Sequence, residues 1–181
     1  MKVAFTLSET DLLTHQLFAA SKSKRVQKRR AKGKLFLLLI YMAVGLFIWE
    51  RNGIVTGAVF FLVCLPLYLL YNYMERKQYV THFKTYVQDV YKDRATTTTS
   101  IDIEERIITM RDGTNESTVP LSEVEVIYEI GSLYSLALNT GQSIVIPKTN
   151  VTPDDNLSPF MKELADRLGI PYQQELTWKW K

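Results

Sequence analysis

Two uninterrupted apolar runs near the N-terminus constrain this chain more than any other feature. Leu35 to Trp49 gives 15 consecutive uncharged, mostly apolar residues, and Gly53 to Met74 gives 22 more, against about 17 to 25 for a helix that spans a bilayer. The second run is long enough by itself. The first reaches only about 22 Å against a hydrocarbon core of about 30 Å, so it depends on its flanks: Lys32, Lys34 and Arg51 can lay their alkyl stems along the helix and keep their charges among headgroups. A soluble domain of this size could not cover both helices. The sequence therefore predicts a transmembrane hairpin over 35–74, with spans at 35–50 and 54–74. The first run begins too far into the chain, after a long polar segment, to read as a cleaved signal peptide, so it is expected to be a retained anchor.

Charge supplies the orientation. Eight basic residues and no acids lie between Lys22 and Lys34: Lys22, Lys24, Arg25, Lys28, Arg29, Arg30, Lys32 and Lys34. Arg76, Lys77, Lys84, Lys92 and Arg94 follow the second run, whereas the connecting Glu50-Arg51-Asn52-Gly53 holds one cation and one anion. Basic flanks stay inside, which predicts two cytoplasmic termini and a four-residue turn on the outer face. The basic run is also a candidate contact for anionic lipid, although any such hairpin needs a topology signal of this kind. It abuts a predicted span and lacks a recognition module, so no nucleic-acid partner is expected. The one cysteine, Cys64, falls inside the second apolar run, which excludes an intramolecular disulfide and any cysteine-based metal site.

Before the basic run, Lys2 to Leu7 alternate weakly and predict a short strand. Ser8 then offers a helix cap, with Glu9 and Asp11 in the first turn, where the helix dipole favours anions. Leu13, Leu17 and Phe18 form an apolar stripe, and little breaks the helix before Gly33, so one continuous helix from about Glu9 into the first span is expected. This makes 1–34 an N-terminal strand and basic amphipathic helix. Beyond the hairpin, Tyr79, Phe83, Tyr86, Val87 and Val90 recur at helical spacing and predict a cytoplasmic stalk helix over 75–94. His15 and His82 are two histidines without a third ligand and make a poor metal site.

Past Arg94 the period changes from 3.6 to alternating segments rich in Thr, Ile and Val. Strands are expected at about Thr97–Ile103, Arg106–Arg111, Glu116–Pro120, Val126–Ile130, Leu133–Asn139 and Gln142–Pro147, as an antiparallel meander with turns at Asp112-Gly113 and Thr140-Gly141. A final helix is expected with Ser158 as cap, Pro159 at its first position, Phe160, Leu164 and Leu168 on its buried stripe, and Gly169 and Pro171 at its end. The predicted fold class is an α+β membrane protein. It consists of the two-helix hairpin, the helical stalk, and a domain at 95–181 in which a bent antiparallel sheet or partial barrel is capped by a helix, the outline of a pleckstrin-homology-like (PH-like) domain.

The opening Phe5-Thr6-Leu7-Ser8-Glu9-Thr10-Asp11, continued by Gln16-Leu17-Phe18, resembles the start of the YcxB-like bacterial membrane proteins. The hairpin follows in the expected place. Ile144-Val145-Ile146-Pro147-Lys148, leading through Thr149 to Phe160, is similar to that family's last strand, Ile-Pro-Lys turn and helix. The resemblance covers nearly the whole chain through short motifs. It departs at Leu121, where the family usually has Trp before the position of Glu123-Val124. What it implies is architecture, a PH-like domain anchored in the bacterial inner membrane, and no activity.

No catalytic, cofactor or metal constellation is expected. The segment after Arg94 has no histidine or cysteine, and the acid pairs Glu104-Glu105 and Asp154-Asp155 fall at a turn and near a helix start, where solvation and the helix dipole account for them. Lys148, within the turn motif Ile146, Pro147 and Lys148, is a candidate contact for an anionic headgroup at a barrel mouth, set against a purely structural turn. From Ala95 to Lys181 there are 13 acids and seven bases, a surplus of negative charge that repels an anionic bilayer and gives attraction to the basic run a physical motive. Trp178-Lys179-Trp180-Lys181 suits a membrane interface or a packed tail. The expected function is a non-enzymatic interaction protein at the cytoplasmic face that binds a protein partner or itself as a homo-oligomer. The alternative is an immunity-type inner-membrane protein that neutralises a membrane-active toxin.

Overall fold

The computed structural model describes residues 1–91, 98–113, 115–152 and 157–180. Lys92, Arg94, Ala95, Thr97, Asp154, Asp155 and Lys181, on which several expectations fall, lie outside the described residues. The chain divides into two compact units, one comprising 1–16 and 84–179 and the other 17–83 with the last two residues.

The hairpin unit is built on α2 (Lys24–Asn52) and α3 (Ile54–Val90). Both are long and apolar enough to cross a membrane, and only 6% and 11% of their apolar windows are buried. The helices overrun the apolar segments, so the expected stalk over 75–94 is no separate element up to Val90 but the continuation of α3. The expected four-residue turn is also shorter. Glu50, Arg51 and Asn52 are helical, and the reversal rests on Gly53 alone, at φ 86° and ψ 169°, a conformation essentially confined to glycine. Its N–H still bonds the Trp49 carbonyl at 2.9 Å, so α2 ends without an abrupt loss of hydrogen bonding.

Glycines opposite aromatic rings let the two helices approach. A Cβ on Gly45 would collide with the Phe61 ring, and one on Gly57 would come within 2.9 Å of the Trp49 Cβ. One on Gly33 would lie 3.1 Å from the Tyr71 hydroxyl. Each pair sits at a near-equal number of residues on either side of Gly53, as an antiparallel hairpin requires. Pro66 lies inside α3 and withholds one backbone donor from the helix.

The expected unbroken helix from Glu9 is interrupted. A first helix, α1 (Glu9–Lys22), stops at Ser23, which is extended at φ −69° and ψ 115°. Local side-chain competition for backbone hydrogen bonds accounts for the break. Ser21 Oγ donates to the Phe18 carbonyl at 2.6 Å, and the Gln27 amide donates to the Ser21 carbonyl at 2.7 Å, so polar side chains take over bonds that a continuing helix would make. Gly33, in contrast, lies within α2. The other end of α1 follows expectation. Ser8 and Asp11 form a reciprocal cap, with the Asp11 N–H donating to Ser8 Oγ at 3.1 Å and the Ser8 N–H and hydroxyl donating to the Asp11 carboxylate.

Among the described residues the sheet unit contains nine strands: β1 (Lys2–Thr6), β2 (Thr98–Ile103), β3 (Ile107–Asp112), β4 (Asn115–Pro120), β5 (Val124–Ile130), β6 (Leu133–Leu138), β7 (Ser143–Pro147), β8 (Val151–Thr152) and β9 (Tyr172–Glu175). The six expected strands are present within a residue or two of their predicted limits, but they form two sheets rather than one. The first has the order β4-β3-β2-β1-β8 and the second β7-β6-β5-β9, with a single 3-10 turn at Leu121–Glu123 leading from one to the other. The N-terminal strand β1 is hydrogen-bonded between β2 and β8, so residues far apart in sequence complete one sheet. In the second sheet β9 runs parallel to β5. Strand β5 begins two residues earlier than expected because a bulge between Val124 and Val126 breaks the alternation and returns both Val124 and Ile127 to the buried side.

The last helix, α4 (Leu157–Leu168), carries Leu157, Met161, Leu164 and Ala165 into the core, while Phe160 and Leu168 are half-buried beside it. It starts one residue ahead of Ser158, which is therefore within the first turn rather than the cap. At its end, Gly169 has φ 65°; its N–H donates to the Asp166 carbonyl and the Ile170 N–H to that of Ala165, the paired bonds of a Schellman end. The core joins these residues to Val3 and Phe5 of β1, Ile101 and Ile103 of β2, and Ile127, Leu136 and Ile146 of the second sheet.

Replacing Gly53 by alanine is expected to cost about 1 to 3 kcal/mol, because the new Cβ meets the strain of positive φ. Thermal unfolding of the detergent-purified variant checks this, with the exposed and helical Ala31→Gly as a reference of about 1 kcal/mol.

Candidate functional site

Within the sheet unit the sequence-predicted Lys148 is the entry to a polar cluster on the inner side of the second sheet. Strand phase explains its position. Ile144, Ile146 and Lys148 follow one another on the same side of β7 and its extension, and Pro147, lacking an N–H, closes this edge strand opposite Leu133. Glu129 lies in phase with Ile127 on β5, directly across from Tyr134 of β6 and Gln174 of β9. The apolar row thus ends in a carboxylate that is 8% exposed.

That carboxylate is fully engaged. Lys148 Nζ donates to Oε1 at 2.8 Å, while the Tyr172 hydroxyl and the Gln174 amide donate to Oε2 at 2.9 and 2.7 Å. The Lys148 ammonium also lies 5.1 Å from the centre of the Tyr134 ring. Burial by itself pushes the Glu129 carboxyl up. The hydrogen bonds from Lys148, Gln174 and Tyr172, with the Lys148 charge, outweigh it and hold the group down at about 2. The Tyr172 hydroxyl is pushed above the usual phenol range, first by burial and then by its bond to Glu129 and the charge there. Neither group exchanges a proton near neutral pH, which general acid–base chemistry requires. The Lys148 ammonium, which follows the Ile146-Pro147 turn, is bonded to Glu129.

The hairpin unit holds the second cluster. Of the eight predicted basic residues, Arg30 and Lys34 turn toward α3, where Glu75 receives Arg30 Nε at 3.2 Å and Lys34 Nζ at 3.7 Å. Glu75 is buried. The Arg30 guanidinium also sits over Tyr79 and Trp180, at 5.7 and 5.0 Å from their ring centres, and those two rings are 5.5 Å apart. Lys34 is therefore tied to the facing helix rather than only extended along its own. Lys22, just before the Ser23 break, lies over the Phe18 ring at 5.2 Å. Lys24, Arg25, Lys28, Arg29 and Lys32 are exposed.

The two histidines stay apart in role. His82 lies 5.5 Å from the Phe83 ring. His15 is held in surroundings that exclude water from Nε2, which has no hydrogen-bond partner, and burial lowers its pKa to about 4. Among the described residues no group of three or more His, Cys, Asp or Glu is placed to hold a metal ion.

Glu129, Tyr172, Gln174 and Glu75 were missed in the sequence. A signal for one of them exists: Glu129 interrupts the apolar phase of β5 at an inner position, and Lys148 does the same at the end of β7, so two opposite charges fall on the buried phase of one sheet. No family model matches the chain, and neither a curated protein nor a solved structure matches it.

Two pH windows follow. Because the folded pKa of His15 lies below its unfolded value of 6.5, the folded state resists protonation there, and stability is lost as pH falls from about 6.5 toward 4. Glu129 is also depressed, so its contribution is present above about 4.5 and is lost as pH falls toward 2. Urea titrations across pH should show both losses, with His15→Asn removing the upper one and Glu129→Gln the lower. Lys148→Met, which leaves the Glu129 charge without its cation, is expected to destabilise the sheet unit by about 2 kcal/mol at pH 7.

Proposed function

We propose that this is a two-pass protein of the bacterial cytoplasmic membrane, with both termini in the cytoplasm, whose sheet unit is a non-enzymatic interaction module of the PH-like, YcxB type. The observation that carries the membrane reading is the exposure of the hairpin. Leu35, Phe36, Phe47, Val55, Leu62, Leu65 and Leu69 are each more than half exposed, on helices whose apolar windows face one another over only a small part of their surface. Apolar surface on this scale, arranged all round two helices, needs lipid as its solvent. The orientation rests on the basic residues that flank both helices on the side away from Gly53.

The interaction reading is supported by the state of the titratable groups. Glu129 remains ionised, Tyr172 and His15 remain neutral, and the Lys148 ammonium is bonded to Glu129, so none of these four groups is poised for proton transfer. The PH-like reading is supported by two three-stranded meanders, β2-β3-β4 and β5-β6-β7, followed by a helix whose Met161, Leu164 and Ala165 enter the core. The module then binds a protein partner or a second copy of itself.

Alkaline carbonate extraction is expected to leave the full chain in the membrane pellet; release into the supernatant overturns the hairpin reading. Orientation is tested in a Cys64→Ser background. An impermeant maleimide should label Asn52→Cys in intact cells and Gln142→Cys only after permeabilisation, and the reverse pattern inverts the topology. Two differently tagged copies should co-purify from mild detergent if the module binds itself.

A further inference from the structure

The helix geometry divides the basic run between two sides of α2. At 3.6 residues per turn, Arg30 and Lys34 fall on one side of α2, where Glu75, Tyr79 and Trp180 engage them. Lys24, Arg25, Lys28, Arg29 and Lys32 fall within an arc of about 140° on the opposite side. All five are exposed, and none has a side-chain ion pair or hydrogen bond among the described residues. No acid interrupts the sequence from Lys22 to Lys34, and the Glu75 carboxylate is on the other side of the helix.

A topology signal needs only the number of cations near a span, not their placement around the helix. Concentrating five of them on the side that faces away from α3 creates a lateral surface. Its lower end meets the headgroup layer, and the rest stands in the water just beyond it. Lys32 lies about 5 Å before the apolar run that begins at Leu35, and Lys28 and Arg29 lie within about 10 Å of it, against a headgroup region about 5 to 7 Å deep on each side of the core. Lys24 and Arg25, about 15 to 17 Å away, extend the face by roughly one further Debye length. No aromatic residue is interleaved from Lys22 to Lys34, so the face lacks the stacking platform of a single-stranded nucleic-acid site.

We propose that this outward face of α2, formed by Lys24, Arg25, Lys28, Arg29 and Lys32, binds the headgroups of anionic phospholipids, enriching them beside the hairpin. The proposal rests on the membrane reading above. It concerns the hairpin alone: the surplus negative charge of the 95–181 segment leaves that region unsuited to the same ligand.

Native mass spectrometry of the full chain, delipidated in detergent and titrated with phosphatidylglycerol or phosphatidylcholine, tests it. The expected result is tighter binding of phosphatidylglycerol that weakens as salt rises. Each cation removed from the face should reduce the preference by at most about fivefold. Lys28→Gln with Lys32→Gln should reduce it more than Arg76→Gln with Lys77→Gln, which removes the same charge from exposed positions of α3. Equal binding of the two lipids, or equal losses in the two double variants, overturns the proposal. Displacement of phosphatidylglycerol by an equimolar single-stranded oligonucleotide also overturns it, in favour of a nucleic-acid surface. Reconstitution into vesicles of phosphatidylcholine alone separates the two readings: carbonate-resistant association there supports the hairpin whatever the lipid preference, and its absence removes the hairpin itself.

Discussion

Two helices lying side by side can cover only one face of each other, and everything in the hairpin unit follows from how that one face is used. The seam is filled by aromatic rings set against glycines, so the helices approach closely where they meet. Among the described residues most of the remaining apolar surface is uncovered. Polar character returns at the turn with Glu50, Arg51 and Asn52 and at the opposite helix ends, where Glu75 draws Arg30 and Lys34 inward and Lys24, Arg25, Lys28, Arg29 and Lys32 stay exposed. The division of charge is thus a by-product of packing: the residues that face the seam must be neutralised, and those that face away need not be.

The sheet unit solves a different problem with related chemistry. Its inner rows are apolar except at one end, where Glu129 replaces an apolar side chain. A buried carboxylate is tolerated only if its charge and its lone pairs are met, and here the partners come from three places in the sequence: Lys148 after β7, and Tyr172 and Gln174 on β9. The short parallel strand β9 gains side-chain attachments that its four residues of backbone pairing with β5 would not provide alone. The cluster therefore helps to hold the end of the chain in register with the centre of the sheet.

Much of this was legible in the sequence, and the divisions between success and failure are physical. The apolar runs, the six alternating strands, the Ser8 cap and the Gly169 end all declare themselves within a window of a few residues, because the forces that set them are local. The break at Ser23 was missed because it depends on where the hydroxyl of Ser21 and the amide of Gln27 point. The strands β8 and β9 were missed because their residues have weak patterns of their own and become strands only when β1 and β5 offer an edge. The Glu129 and Glu75 partnerships were unreadable for the same reason: Lys148 is close to Glu129 only after two strands have paired, and Arg30 meets Glu75 only after the chain has reversed at Gly53.

The glycine and aromatic pairs of the hairpin carry a consequence for how this region can vary. At Gly45 the Phe61 ring fills the place a side chain would take, and at Gly57 the Cβ and backbone Cα of Trp49 do so. A larger residue at Gly45 is therefore acceptable only if Phe61 shrinks, and one at Gly57 only if the helices move apart. The hairpin's tolerance is a property of pairs rather than of positions, and a helix that slid by one turn would set rings against side chains instead of gaps. The seam thus acts as a key that admits a single alignment.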